Sequence, residues 1–449
     1  MYQDTIAAIA TAVGEGSISV IRLSGNQASH IAERMTGKKL RDRRVTFAQA
    51  KDPKSGELVD EVVVALMKGP RSYTKEDVVE ISCHGGPLPA QKIMKLCLSL
   101  GARQANPGEF TLRSFLNGRI DLAQAEAVLD IVQANTNEGL RLAVGGLAGR
   151  LSEPVKEIKA KLLLALAYLT AKIDFPEDEV DTQAEVDIPG LIDEARQALH
   201  KLIENADAGI IYRQGIRAAI VGRPNVGKSS LLNRLLGSDR AIVTPIAGTT
   251  RDTLEESANV NGIPFVLVDT AGIRETLDPV ETVGVERTRK AISQASLVLF
   301  VVDASQPVSA EDMKIARDVK GFKVVLIANK CDIAKPSSFE RLGVGDPVAV
   351  SALTGVGIEN LRNEIARRAL NGKLISSDQA AITNPRHKAS LETADAHLDA
   401  AQISLAKSMP DDFVTIDLKA ALNALGEITG ENVSEELLNE IFSRFCVGK

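Results

Sequence analysis

The sequence is short of cysteine, of excess positive charge and of long apolar runs, and each shortage closes off a class of function. Its four cysteines, Cys83, Cys97, Cys331 and Cys446, are widely scattered and none belongs to a C-x-x-C pair. Neither a zinc site nor a disulfide framework is expected from them. Basic residues do not outnumber acidic ones: 53 Lys and Arg stand against 59 Asp and Glu, a formal net charge of -6. No global positive field advertises a nucleic-acid partner, although a local basic patch is left open. The longest apolar runs, LLLALAYL at 162–169 and LVLFVV at 297–302, fall well below the ~20 residues that a membrane-spanning helix needs. The opening MYQDTIAAIATAVGEG has an early acid and no basic stretch, so it does not read as a signal peptide and a cytoplasmic protein is expected.

What is present is enough chain for about three domains at ~150 residues each. With 44% hydrophobic and 25% charged residues, the composition is that of a globular protein. Residues 1–118 alternate in texture. SISVIRL, EVVVALM and DVVEISCH are strand-like, and Gln27 to Met35 and Pro89 to Leu100 are helical, which predicts an α+β module. From Ile120 apolar residues step by three and four: Leu122, Ala125, Leu129 and Val132; then Leu140, Ala143, Val144, Leu147 and Leu151; then Leu162, Ala165, Leu166 and Leu169. These predict amphipathic helices, each with one buried face. DFPEDEVDTQAEVD interrupts them as an exposed connection.

From Arg217 onward RAAIV, PFVLVD, LVLFVVD, KVVLIAN and PVAVS are short and almost wholly apolar. Such strands suit a parallel sheet covered on both faces. Beyond about Asn371 helical stripes return, with Leu418, Ala421, Leu422 and Leu425, then Leu437, Leu438, Ile441, Phe442 and Phe445. The expected fold is multidomain: an α+β domain at 1–118, a helical domain at 119–211 and 372–449, and an α/β domain at 212–371 inserted into it. Two separate helical domains are the competing arrangement.

GRPNVGKS at 222–229 follows the strand RAAIV and precedes the helix SLLNRLL, the setting a phosphate-binding P-loop requires. Glycines admit the phosphates close to the backbone, and the loop N–H groups and helix N-terminus favour anionic charge. Asn225, Val226, Gly227, Lys228, Ser229 and Ser230 are the candidate contacts, with Lys228 on the β- and γ-phosphates and Ser229 on Mg²⁺. DTAG, Asp269, Thr270, Ala271 and Gly272, ends the next strand. Asp269 would hold Mg²⁺ through a water, and the Gly272 N–H would meet the γ-phosphate. NKCD at 329–332 supplies Asn329, Lys330 and Asp332. The two acceptor oxygens of Asp332 match guanine N1–H and its exocyclic amine, a donor pair that adenine lacks, so GTP is expected rather than ATP. Ser351, Ala352 and Leu353 should address guanine O6 through backbone N–H. GTTRD at 248–252 falls where a first switch belongs, with Thr250 as second Mg²⁺ ligand.

Where many GTPases carry a water-orienting Gln after DTAG, this chain has Ile273. The acids that follow, Glu275, Asp278, Glu281 and Glu286, are alternatives that the sequence does not rank. Arg251 and Arg274 are candidate sources of transition-state charge. A monovalent cation held by Asn225 and switch carbonyls is another.

DTIAAIAT, IRLSG, SYTKEDVVEISCHGGP, PGEFTLRSFLNGRIDLAQAEAV, GRPNVGKSSLLN, IAGTTRD and the terminal FCVGK together resemble one family end to end, the MnmE (TrmE) family of tRNA modification GTPases. The resemblance implies an N-terminal folate-binding and dimerising domain and a Ras-like GTPase domain inserted in a helical one. It implies that GTP hydrolysis drives domain motion during modification of the wobble uridine at C5. The cofactors implied are Mg²⁺, K⁺ and 5-formyltetrahydrofolate or a related reduced folate. The partners implied are tRNA, a second copy of the chain and the FAD-dependent MnmG (GidA).

By the same resemblance Asn225, Thr244, Ile246 and Thr249 hold K⁺. Thr244, Pro245, Ile246, Ala247, Gly248, Thr249 and Thr250 line the nucleotide, and Glu281 orients the attacking water. Arg22, Glu80, Arg119 and Lys449 contact folate, and Arg119 stands where some members have Lys. Cys446 matches a cysteine near the folate pocket, in FCVGK where FCIGK is usual. Two other readings stay open: a ribosome-assembly GTPase of the Era or Der type, and an N-terminal domain that is itself a complete folate enzyme, for which His84 in SCHGGP is the one motif histidine.

Overall fold

A computed structural model describes residues 4–12, 14–175, 186–237, 256–268, 292–334, 339–373 and 381–449. The chain divides into two compact units, Met1–Leu129 with Gly426–Lys449, and Asp130–Leu425.

The first unit is built on a six-stranded sheet of β1 (Ile6–Ile9), β2 (Ile18–Ser24), β3 (Val45–Lys51), β4 (Leu58–Met67), β5 (Val78–His84) and β6 (Arg103–Gln104). Their order is β3-β4-β5-β2-β1-β6, antiparallel except for the β1–β6 pair. The helices α1 (Ala28–Thr36) and α2 (Pro87–Ser99) cover one face. There Ile21, Leu23, Ile81 and Val64 meet Ile31, Ile93 and Cys97 in a closed core. Burial pushes the Cys97 thiol up to about 12, which leaves it a packing group. The strands β1 and β3 were not expected: IAAI is four residues long, and VTFAQAK alternates with polar residues.

The helices α3 (Glu109–Leu116) and α4 (Leu122–Gln133) follow in chain order. The last helix of the chain returns to this unit, where Ile441, Phe442 and Phe445 pack with Ile120, Leu122, Ala125 and Leu129. Gly108 makes the approach possible: a Cβ there would lie 2.6 Å from the Phe442 carbonyl oxygen, and its φ is +69°.

The second unit opens with the helices α5 (Asn137–Leu147), α6 (Ser152–Asp174), α7 (Ile188–Glu204) and α8 (Ala206–Gln214). A sheet follows, made of β7 (Ile216–Val221), β8 (Glu256–Val260), β9 (Ile263–Leu267), β10 (Leu297–Asp303), β11 (Val324–Asn329) and β12 (Val348–Ala349). Its order is β12-β11-β10-β7-β9-β8, parallel except for the β8–β9 hairpin. Every residue of β10 is buried. Leu297, Leu299 and Val301 enter one core, and Val298, Phe300 and Val302 the other, so period-2 alternation divides them between two apolar faces.

The helices α9 (Lys228–Leu236), α10 (Ala310–Asp318) and α11 (Ile358–Ala369) accompany the sheet, and α12 (Pro385–Ala406), α13 (Asp411–Thr429) and α14 (Glu435–Ser443) follow it. Arg196 on α7 reaches Asp395 at 3.1 Å and Asp399 at 2.8 Å on α12. Helices from before and after the sheet thus pair, and the α/β portion interrupts a helical one. The α5 stripe holds only in part: Ala143 and Leu151 are buried as expected, but Leu140 and Val144 are exposed, and Leu142, outside the stripe, is buried.

Candidate nucleotide and folate sites

The apolar strand β7 delivers the chain to a loop of unusual backbone. Gly222 has φ +153°, Asn225 +63° and Gly227 +95°, so two glycines and a left-handed Asn curl the loop before α9 begins at Lys228. Packing makes the glycines obligatory. A Cβ on Gly222 would sit 2.3 Å from the Val301 carbonyl oxygen, and one on Gly227 2.2 Å from Asn329 Nδ2. Inside the curl Lys228 Nζ donates to the carbonyl oxygens of Gly222 at 2.7 Å and Arg223 at 2.8 Å. Burial holds the Lys228 pKa below its ordinary value, with Glu311 opposing. A cradle closed to any Cβ, with an ammonium in it and a helix N-terminus behind it, fits a phosphate chain.

Asn329, at the end of β11 and 2% exposed, joins this cradle to a second loop. Its Nδ2 donates to the Val226 carbonyl oxygen at 2.8 Å, and its Oδ1 accepts the Ala352 N–H at 3.0 Å. The Ser351 side chain accepts the Thr354 N–H at 3.1 Å and tightens that second loop. Lys330, at φ +68°, donates to Asp303 Oδ2 at 2.7 Å. Burial raises the Asp303 pKa, but hydrogen bonds from Lys330 and Ser305 outweigh it and leave the carboxyl below its usual range. Asp332 is exposed beside these groups and Leu353 is 79% exposed, so the rim at 332 and 353 is accessible to a ligand.

The structure therefore gathers Asn225, Val226, Gly227, Lys228, Asn329, Ser351 and Ala352 around one mouth. Asp303, absent from the sequence expectations, joins them, and an acid closing a fully apolar strand was the available signal. The expectations at Thr244, Pro245, Ile246, Ala247, Gly248, Thr249, Thr250, Asp269, Thr270, Ala271, Gly272 and Glu281 lie outside the described residues. Among the described residues no cluster of three or more His, Cys, Asp or Glu could hold a metal ion.

The first unit gathers a second set. Arg22 on β2 faces Glu80 on β5, register partners in the sheet, and gives Oε1 two bonds at 2.9 and 2.8 Å. Its third donor, Nη1, holds the Gly448 carbonyl oxygen at 3.1 Å. That bond brings the FCVGK tail onto the sheet. Gly448, at φ +99°, lies so near the Ile9 carbonyl oxygen that a Cβ would be 2.8 Å away. Burial lowers the Lys449 pKa, and Arg22 adds to this against the pull of Cys446. Cys446 is exposed.

Arg22 also stacks over Phe110 at 5.8 Å, and Arg119 over Tyr73 at 4.8 Å. Tyr73 packs against the Phe110 cluster. The two aromatics link the two arginines, and neither was expected from sequence. A surface with cations, a carboxylate and ring faces fits a flat, anionic heterocycle. His84 stands apart from this set: its Nδ1–H donates to Asp60 Oδ1 at 2.7 Å and its backbone N–H to Asp60 Oδ2 at 2.9 Å.

Comparison with known proteins covers almost the whole chain. Residues 5–119 match the model of the GTP-binding protein TrmE N-terminus, and residues 122–446 match the MnmE helical domain. The tRNA modification GTPase MnmE of Roseiflexus castenholzii is 50% identical over 470 residues, covering 100% of both chains. That of Desulforamulus reducens is 45% identical over 461 residues, again with 100% of both covered. Among solved structures, Era of Aquifex aeolicus is 29% identical over 40% of this chain and 66% of its own, with a TM-score of 0.27, too low to bear on architecture or function.

Proposed function

The chain belongs to the MnmE family of tRNA modification GTPases, and from that premise we propose how its residues bind and hydrolyse GTP. The observation that carries this reading is the pair of hydrogen bonds made by the Asn329 side chain. One amide fastens the loop around Lys228 to the loop at 351–353, so groups suited to phosphate and to base stand at fixed separation. Lys228 would exchange its carbonyl partners for β- and γ-phosphate oxygens. Asp332 would accept guanine N1–H and the 2-amine, leaving an unpaired carboxylate against adenine. Ser229, Thr250 and, through a water, Asp269 are the residues for Mg²⁺, which when bound offsets phosphate charge. Asn225, Thr244, Ile246 and Thr249 are those for K⁺, and Glu281 orients the attacking water.

In the first unit Arg22 and Lys449 offer cations to the carboxylates of a reduced folate such as 5-formyltetrahydrofolate. Glu80 offers Oε2 to its ring N–H groups, since both donors from Arg22 land on Oε1. Arg119 and Cys446 complete that set, and bound folate would supply or relate to the one-carbon unit. The product is an aminomethyl or carboxymethylaminomethyl group at C5 of the wobble uridine. The chain works as a homodimer with the FAD-dependent MnmG, in the cytoplasm. The arrangement of domains is proposed as 1–118, 119–211, 212–371 and 372–449. An Era- or Der-type role is less supported, because the family matches account for the chain on both sides of the nucleotide site. Among the described residues, no helix is long and apolar enough to cross a membrane.

GTP turnover in K⁺ and in Na⁺ at equal ionic strength tests the cation site. Turnover at least about ten times faster in K⁺ is expected, roughly 1.4 kcal/mol of barrier. Equal rates would keep the GTPase and remove the Asn225 cation site.

A further inference from the structure

Arg234 occupies the last turn of α9, the helix that begins at Lys228. Its side chain leaves that helix for the 351–353 loop. Nε donates to the Ala352 carbonyl oxygen at 3.3 Å and Nη2 to the Leu353 carbonyl oxygen at 2.7 Å. Two different nitrogens of one planar guanidinium take the two successive carbonyls, which fixes the direction of each bond as a single point charge would not. Gly355 turns the loop beside this side chain with φ +91°, a conformation that favours glycine.

The loop is held on its other side by Asn329 Oδ1, which accepts the Ala352 N–H. Both polar ends of Ala352 are therefore fixed, the N–H by β11 and the carbonyl by α9. A trans peptide is planar, with its C=O and N–H antiparallel. Fixing the Ala352 carbonyl toward Arg234 consequently aims the Leu353 N–H the opposite way, away from α9. Fixing the Leu353 carbonyl does the same for the Thr354 N–H, which is taken up by Ser351 Oγ at 3.1 Å.

We infer that Arg234 is a positioning residue for guanine recognition: by bridging the Ala352 and Leu353 carbonyls it orients the backbone N–H that reads the purine 6-oxo group. The inference rests on the assignment of 329–332 and 351–353 to the base. It adds that selectivity at the six-position depends on a side chain of the phosphate-side helix.

The test compares two nucleotides on the full-length protein, GDP and the diphosphate of 2-aminopurine riboside, which keeps the 2-amine and lacks the 6-oxo group. In Arg234→Ala the GDP Kd is expected to rise about ten-fold, and the preference for GDP over the 2-aminopurine analogue to shrink by a similar factor. KM for GTP should rise by more than kcat falls. Arg234→Lys, which restores the charge but not the planar fork, should recover part of the preference. Equal weakening of both nucleotides would show a merely structural role and overturn the inference, as would unchanged GDP affinity. Asp332→Asn, assayed with xanthosine diphosphate, separates the two levels. A switch from GDP toward xanthosine diphosphate upholds the base site, so that a silent Arg234→Ala then defeats this inference alone. No switch defeats the base-site assignment and the inference with it.

Discussion

Asn329 makes its two hydrogen bonds at 2% exposure, where a donor or acceptor left without a partner costs about 1–3 kcal/mol. Asn329→Ala strands the Val226 carbonyl and the Ala352 N–H together. GDP affinity is expected to fall at least about a hundred-fold, with a lowered Tm; titration with a fluorescent GDP analogue and calorimetry check both. Affinity within a few-fold of wild type would mean that the amide does not hold the site together. The residue type at 329 was legible because it sits in NKCD after an apolar strand. Its bond to Val226 was not, because that partner lies 103 residues upstream and only the sheet order brings β11 and the 222–227 loop together. Tyr73 and Phe110 stand inside recognised stretches, SYTKEDVV and PGEFTLRSF, but their roles were hidden for the same reason, since the arginines they face, Arg119 and Arg22, lie far along the chain.

Elements were read best where burial leaves the sequence no choice. The strand β10 was anticipated at its full extent because both its faces are apolar. The strand β8 was missed, although the Asn261–Gly262 turn, with φ +52° and +85°, is the expected signature of a two-residue hairpin. Its ESANV is half polar, and the alternation was weaker evidence than the turn. The helix α5 shows how periodicity can point to the wrong face. Leu140, Ala143, Val144 and Leu147 form one stripe, but Leu142 lies across the cylinder from Leu140 and Val144, and it is the one drawn into a core with Ala208 and Tyr212. Leu142→Ala is expected to cost about 2–4 kcal/mol and Val144→Gln no more than about 0.5 kcal/mol. Thermal unfolding of the intact protein with GDP bound ranks the two, and a larger loss for Val144→Gln would mean that its exposed face is covered in solution.

At the scale of the molecule, the proposed folate set depends on residues that are far apart in the chain. Arg22 spans 426 positions to reach the Gly448 carbonyl oxygen. Deleting residues 446–449 removes that acceptor along with Lys449 and Cys446. Binding of 5-formyltetrahydrofolate, followed by calorimetry, is expected to weaken at least about ten-fold, on the order of one charge-assisted hydrogen bond. Undiminished binding would separate the tail from the site. The composition of the first unit was not legible either: the stripe of Ile441, Phe442 and Phe445 announces a helix without naming its partner, and the partner is a glycine-lined notch at Gly108.

That notch bears on how the protein is made. Met1–Leu129 emerges from the ribosome first but lacks α14 and the tail until Gly426–Lys449 has been translated. Throughout synthesis of the nucleotide-binding unit, Ile120, Leu122, Ala125 and Leu129 stay without the aromatic cover they receive in the finished fold. Closure of that core therefore waits for Gly426–Lys449, the last segment of the unit to be made.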